Sequence, residues 1–317
     1  MEMGDYRVEI IPDTEFRLDG GAMFGVVPRV VWERVSPPDE KNRIRMNMNC
    51  VLIDTGKDKI LIETGIGEKW SKKQIEMYGI FRDKPLTETL FEKTGCKPED
   101  ITIVVNTHLH FDHAGGNTIG ATTGLVGVPS TNGESETTGA VGVPPTTDGE
   151  RDAPRSSQVV PQFPNARYLV SASELAHAEN PHERDRASYL PENWHPMEET
   201  GQLEPMADNY QVVPGLQMQT IRGHSETMQT WRLDRGGKTL YGFADLIPTS
   251  HHVPLAWIMG YDLYPTETLA FKKEILPKAV EEEWLCLFYH DLEHPVCRLS
   301  EVDGKLKSEP IEQQENS

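Results

Sequence analysis

His108, His110, Asp112 and His113 fall within six positions, in the stretch Asn106-Thr-His-Leu-His-Phe-Asp-His-Ala-Gly-Gly-Asn117. Ionisable groups crowded this closely repel or desolvate one another unless something reconciles them. A cation does so: it holds the imidazoles neutral and the carboxylate ionised, which burial alone does not. His108 and His110 are two apart at the expected end of a strand, where positions i and i+2 project to the same side, so both imidazoles reach one ion. Asp112 and His113 follow in a turn and present a second ligand pair, and Gly115 and Gly116 let the backbone curl around it. Four ligands from one loop fit poorly on one tetrahedral ion. The stretch therefore reads as half of a two-ion site.

The other half must come from elsewhere in the chain. His224 in Arg222-Gly-His-Ser-Glu226, Asp245 in Gly242-Phe-Ala-Asp-Leu246 and His290 in Phe288-Tyr-His-Asp291 each follow a strand-like segment. Strand ends are where a rigid element positions a side chain and a loop exposes it. Residues 101–105 are a continuous β-branched run that predicts a buried strand leading into the histidine stretch. Residues 49–63 predict a hairpin around Gly56-Lys-Asp-Lys59. Residues 71–95 carry helix-favouring stretches interrupted near Gly79. Residues 166–170 read as a strand, followed by a helix to about Glu179 with Ser171 and Glu174 as its capping box. Residues 212–221 alternate as a strand, and 231–233 pairs with 239–243 across Asp234-Arg-Gly-Gly237. Residues 266–283 predict a helix with Thr266 as N-cap and a kink or split at Pro277. Residues 284–289 are a last strand. Strands alternating with helices in each half predict an α/β layered domain.

The bulk properties set limits. The chain has 317 residues, a formal net charge of −19 and 37% hydrophobic residues. That charge argues against a nucleic-acid partner and against anionic membranes. Cys50, Cys96, Cys286 and Cys297 form no C-x-x-C pair, so neither a disulfide framework nor a zinc knuckle is expected. With no apolar stretch at the N-terminus and no run long enough to span a bilayer, a reducing cytoplasm is the expected location. Residues 118–160 are rich in Gly, Thr, Pro and Ser, and residues 122–134 are echoed imperfectly by 137–150. This reads as a low-complexity, disordered insertion, with a functional lid as the other reading. The expected organisation is one domain over 1–300, interrupted at 118–160, with a charged, frayed tail over 301–317.

The H-x-H-x-D-H motif at His108–His113, with His224, Asp245 and His290 downstream in order, resembles the metallo-β-lactamase fold superfamily. The resemblance implies a four-layer αββα sandwich of two mixed β-sheets flanked by helices. It implies one ion on His108, His110 and His224, a second on Asp112, His113 and His290, and Asp245 bridging both beside a bridging hydroxide. Two divalent ions follow, zinc by default, although a His/Asp set also accepts iron, manganese or cobalt. Asp112 and Asp245 are the candidate catalytic carboxylates. Asp245 stands where the β-lactamases use other residues, and the second motif histidine is not the glutamate of flavodiiron proteins. The basic residues of glyoxalase II are missing, and the acidity speaks against the RNases.

What remains is similar to the lactonase and organophosphate-hydrolase branch, supported also by Phe163-Pro-Asn-Ala-Arg-Tyr168. The expected activity is hydrolysis of an ester-type bond in a small molecule, a lactone or carboxylic ester. Phosphotriester or phosphodiester hydrolysis is the alternative, and a non-catalytic metal scaffold recruiting a partner through 118–160 is the rival class. A homodimer stays open. The lactonase tyrosine after the bridging aspartate is missing: Leu246-Ile-Pro-Thr-Ser-His251-His252 follows instead, with Tyr241, Tyr261 or one of the two histidines as a substitute. The family's bracing Asp-Thr-Gly has two counterparts, Asp54-Thr55-Gly56 and Glu63-Thr64-Gly65, and position favours the second. Met23 and Phe24, flanked by glycines, are either a flap over the site or ordinary core. His251 and His252 either line the same pocket or sit in an ordinary loop.

Overall fold

Ile103–Val105 is buried on both faces at the interior of a seven-stranded sheet. In the computed structural model the described residues are 1–120 and 159–311. The sheet runs in the order Glu2–Met3, Tyr6–Pro12, Asn49–Asp54, Lys59–Ile62, Ile103–Val105, Arg167–Ser171, Leu203–Met206. Its first half is an antiparallel meander and its second half is parallel. Parallel strands need crossover connections and cover on both faces, hence the buried apolar stretches 60–62, 103–105 and 168–170. A second seven-stranded sheet runs from Asn209–Val213 through Leu216–Thr220, Gln229–Arg235, Lys238–Gly242, Leu285–Leu287 and Val296–Val302 to Lys305–Pro310. It is antiparallel except where Lys238–Gly242 meets Leu285–Leu287. The two mixed sheets share one apolar core. Helix Leu86–Thr94 packs on the first sheet at Tyr6–Pro12, Ala172–Glu179 on it at Arg167–Ser171, and Pro265–Glu281 on the second sheet at Val296–Val302. This is the αββα arrangement expected from the motif. Among the described residues no helix is long and apolar enough to cross a membrane.

Several local expectations are corrected. Residues 212–221 are not one strand: Pro214 and Gly215 turn the chain, and Val213 pairs with Leu216. A Pro-Gly dipeptide is a turn signal that outweighs the alternation around it. The last helix starts at Pro265 with Tyr264 as N-cap, and it passes through Pro277 without splitting. Proline suits the first helical position, and buried Leu276 and Ala279 hold the turn around Pro277 despite its missing donor. The tail beyond Glu301 is not frayed where it is described. Val296–Val302 turns at Asp303-Gly304, both with positive φ, and pairs with Lys305–Pro310. The charges there sit on an edge strand, which blunts edge-to-edge pairing. The low-complexity segment is also shorter than expected, since Thr118–Gly120 pairs with Val159–Pro161. The rest of it lies outside the described residues. The capping box is half made: Ser171 accepts from the Glu174 amide, but the Glu174 carboxylate points elsewhere.

The histidine loop is pressed backbone to backbone against residues 64–67. Gly65 bridges Ala114, and Gly116 N donates to Gly65 O at 3.1 Å. A methyl group on Gly116 would stand 2.1 Å from the Thr64 carbonyl oxygen. Gly116→Ala should therefore push the two segments apart and cost about 1–3 kcal/mol, measured as a lower urea midpoint at unchanged slope.

Candidate metal centre

Seven side chains converge at strand ends. His108 and His110 follow Ile103–Val105, and Asp112 and His113 lie in the short helix Phe111–Ala114. His224 follows Leu216–Thr220, Asp245 follows Lys238–Gly242, and His290 follows Leu285–Leu287. The residue before Asp245, Ala244, is held at φ 47°, a strained conformation that aims the carboxylate inward. The seven fall into two groups, His108/His110/His224 and Asp112/His113/Asp245/His290, each with one ligand atom per residue within 4.8 Å of the others. All seven are buried, the two aspartates being the most open at 6%.

Asp245 joins the groups. Its Oδ1 lies 3.1 Å from both His113 Nε2 and His290 Nε2, while its Oδ2 lies 3.4 Å from His224 Nε2. His290 Nε2 is also 3.6 Å from Asp112 Oδ2. Burial presses His108 and His110 well below the usual histidine range, so both are neutral donors of a lone pair. Burial acts the same way on His113, but Asp245, Asp112 and Glu63 outweigh it and raise that imidazole well above its usual value. Burial would raise Asp245, yet His113, His290 and His224 hold it well below the carboxylate range. The carboxylates thus draw positive charge into the pocket. His108 Nε2 and His110 Nε2 are buried without a hydrogen-bond partner. Buried polar atoms are rarely left so. Five imidazoles and two carboxylates in this state fit a pair of divalent ions.

Outer partners fix the ligand rings. His224 Nδ1 lies 3.1 Å from Asp262 Oδ1, and Thr268 donates to the other Asp262 oxygen at 2.7 Å. His290 Nδ1 is 2.9 Å from the Asn47 carbonyl. Each contact turns Nε2 toward the pocket. Glu63 accepts from the Thr107 amide at 3.0 Å and from Asn106 Nδ2 at 3.2 Å, and bonds the Thr107 hydroxyl, which in turn is 3.0 Å from His108 Nδ1. Thr64 donates to the His113 carbonyl at 3.2 Å. Glu63-Thr64-Gly65 is therefore the segment against the metal loop, and Asp54-Thr55-Gly56 only closes a hairpin turn. Sequence reading missed Asp262, because nothing local marks a residue that acts 38 positions away.

The expected pocket residues are placed differently. Phe24, 1% exposed, stacks on His252 at 4.7 Å and on Trp32 at 5.2 Å. His252 Nε2 meets the Met23 carbonyl at 2.9 Å, and burial pushes His252 down to about 3, so it stays neutral. Met23, Phe24 and His252 are thus core in this structure, offering no surface to a ligand, and His251 is exposed. The glycines around Met23 and Phe24 serve close packing: a methyl on Gly20 would meet the Trp32 ring at 2.5 Å. Tyr241 is committed to Thr230 and to a stack on Trp284 at 5.2 Å. Tyr261 keeps an exposed face, beside Asp262 in sequence. An aromatic wall unnoticed in the sequence stands at the metal loop itself. Phe111, between His110 and Asp112, packs at 5.3 Å against both Trp70 and Tyr78. Phe24→Ala should cost about 3–5 kcal/mol of stability in chemical unfolding. The ratio of KM values for short and long acyl substrates should stay unchanged.

Residues 44–128 match the Metallo-beta-lactamase superfamily. An N-acyl homoserine lactonase of Bacillus cereus is 32% identical over 94 residues, covering 27% of this chain and 38% of that protein. The match therefore spans well under half of the curated relative. A probable metal-dependent hydrolase from Staphylococcus aureus superposes with a TM-score of 0.80 at 26% identity, over 99% of each chain. A dizinc quorum-quenching lactonase in complex with a product has the same fold, with a TM-score of 0.70 at 16% identity over 99% of this chain and 97% of its own. Residues 44–128 thus carry the superfamily match, and the whole chain shares its two-sheet architecture with a probable metal-dependent hydrolase.

Proposed function

We propose that this protein is a dinuclear metal-dependent hydrolase acting on lactones or carboxylic esters of small molecules with an apolar acyl part. The observation that carries the reading is the Asp245 carboxylate, one oxygen facing His113 and His290 and the other facing His224. His108, His110 and His224 would hold one ion, Asp112, His113 and His290 the other, and Asp245 both. Zinc suits the set, as do iron, manganese and cobalt. Two bound divalent ions acidify a water and polarise a substrate carbonyl.

The protein's own groups do the rest. Asp245 orients the attacking water, and that water's proton passes to the leaving oxygen as the ester bond breaks. The neutral state of His108 and His110 keeps their lone pairs available. Phe111, Trp70 and Tyr78 offer an apolar wall beside the ligands, which suits an acyl chain more than a charged substrate. Tyr261 and the exposed His251 are the remaining candidates for the missing lactonase tyrosine, because Tyr241 and His252 are tied into the core. The named relatives, lactonases of acyl homoserine lactones, support the same substrate class.

Asp245→Asn should lower kcat about 10²–10⁴-fold on γ-lactones and aryl esters, with the melting temperature of the metal-free protein little changed. Turnover retained on every ester tested would sink the mechanism, as would faster turnover of phosphotriesters than of any lactone. Chelation should abolish activity and a divalent ion restore it. Because the imidazoles bind an ion only when unprotonated, and His113, His224 and His290 are raised above the usual histidine value of about 6.5, ion affinity should begin to fall above that pH and keep falling below it, measured by competition with a chelator of known pH dependence.

A further inference from the structure

Glu174 is fully buried in helix Ala172–Glu179, and all three of its partners are neutral donors. Its Oε1 accepts from the Leu109 amide at 2.8 Å and from the Tyr189 hydroxyl at 3.1 Å, and its Oε2 accepts from the Thr227 hydroxyl. Each donor leads to the same three ligands. Leu109 N is the amide between His108 and His110. The Tyr189 ring packs edge-on against His110 with centroids 4.7 Å apart, and the two residues form a backbone bridge. Thr227 closes the loop that carries His224, where Ser225 Oγ accepts from the Thr227 and Met228 amides at 3.3 and 3.0 Å. One carboxylate thus reaches both sources of the His108/His110/His224 trio, the loop after one sheet and the loop after the other.

A carboxylate is costly to bury where its hydrogen-bond donors are all neutral, and the nearby His177 offsets only part of the desolvation that pushes Glu174 up. The trio it supports consists of imidazoles, which bring no negative charge to a divalent ion. We infer that Glu174 is a positioning residue that sets the geometry of the trio and so governs the affinity for the first ion and not the second. The inference rests on the two-ion reading proposed above. The second group leans on other braces, Asn47 at His290 and Glu63 at 3.4 Å from His113 Nδ1, the latter shared with His108 through Thr107.

The test is stepwise zinc titration of the purified full chain against a competing chelator, for wild type, Glu174→Ala, Glu174→Gln and Thr227→Val. In Glu174→Ala one equivalent of zinc should bind about 10–100-fold more weakly, with the other equivalent as in wild type. Glu174→Gln keeps both the volume and an acceptor for Leu109 and Tyr189 and should recover most of the loss. Thr227→Val removes one arm and should weaken the same equivalent by a smaller factor, which keeps the idea testable if Glu174→Ala does not fold. The visible spectrum of the cobalt-loaded protein should change for one ion only. Wild-type affinity at both equivalents in all three variants, or equal weakening of both, overturns the inference alone. Wild type that binds fewer than two equivalents overturns the two-ion reading, and the inference with it.

Discussion

Five imidazoles and two carboxylates share one buried pocket, and their crowding calls for positive charge among them. Without it, burial drives His108 and His110 toward neutrality while Asp245 draws a proton onto His113. Much of the architecture near the pocket answers this requirement. The ligands come from the ends of strands in both sheets, so the sheets must keep a fixed relation. The shared apolar core maintains it, with direct links such as Asn49 Nδ2 donating to the Tyr289 carbonyl at 2.9 Å.

Around the ligands stands a second tier of buried polar groups. Glu63, Glu174 and Asp262 each accept several hydrogen bonds and each touch a ligand or its backbone. Buried carboxylates are expensive unless every lone pair is used. Here that cost accompanies a loop pinned on several sides: Gly65–Ile66 against Ala114–Gly116 in backbone contact, Lys69 donating to the Thr118 carbonyl at 2.9 Å, and Glu174 below Leu109. Glutamate at position 63 does this bracing with a positive φ of 62°, so the longer side chain reaches the Thr107 amide from a turn position.

The legible and illegible parts of the sequence differ by the range of the interactions involved. His108 to His113 are readable because their spacing is itself the geometry: two residues along a strand end give one face, and a glycine-rich turn gives the next pair. The hairpin around Gly56, the helices flanking Gly79 and the strand at Ile103–Val105 are readable for the same local reason. The errors arose where two local signals competed. Alternation over 212–221 hid the Pro214-Gly215 turn, charge over the tail hid an Asp303-Gly304 hairpin, and Ser171 with Glu174 looked like a complete capping box.

The sequence by itself determined the ligand inventory, its order and the strand-end position of every member, because those properties live within a few residues of each ligand. Only the tertiary structure decided how the candidate ligands gather into two groups, that Asp245 turns one oxygen to each group, and that Glu174 bonds the Leu109 amide and Asp262 the His224 ring. It also decided that Phe24 and His252 belong to the core while Phe111, Trp70 and Tyr78 stand together at the metal loop. A buried aromatic and a pocket aromatic have the same local sequence signature. The difference lies in what packs against them from distant parts of the chain, and that is settled when the two sheets close on their common core.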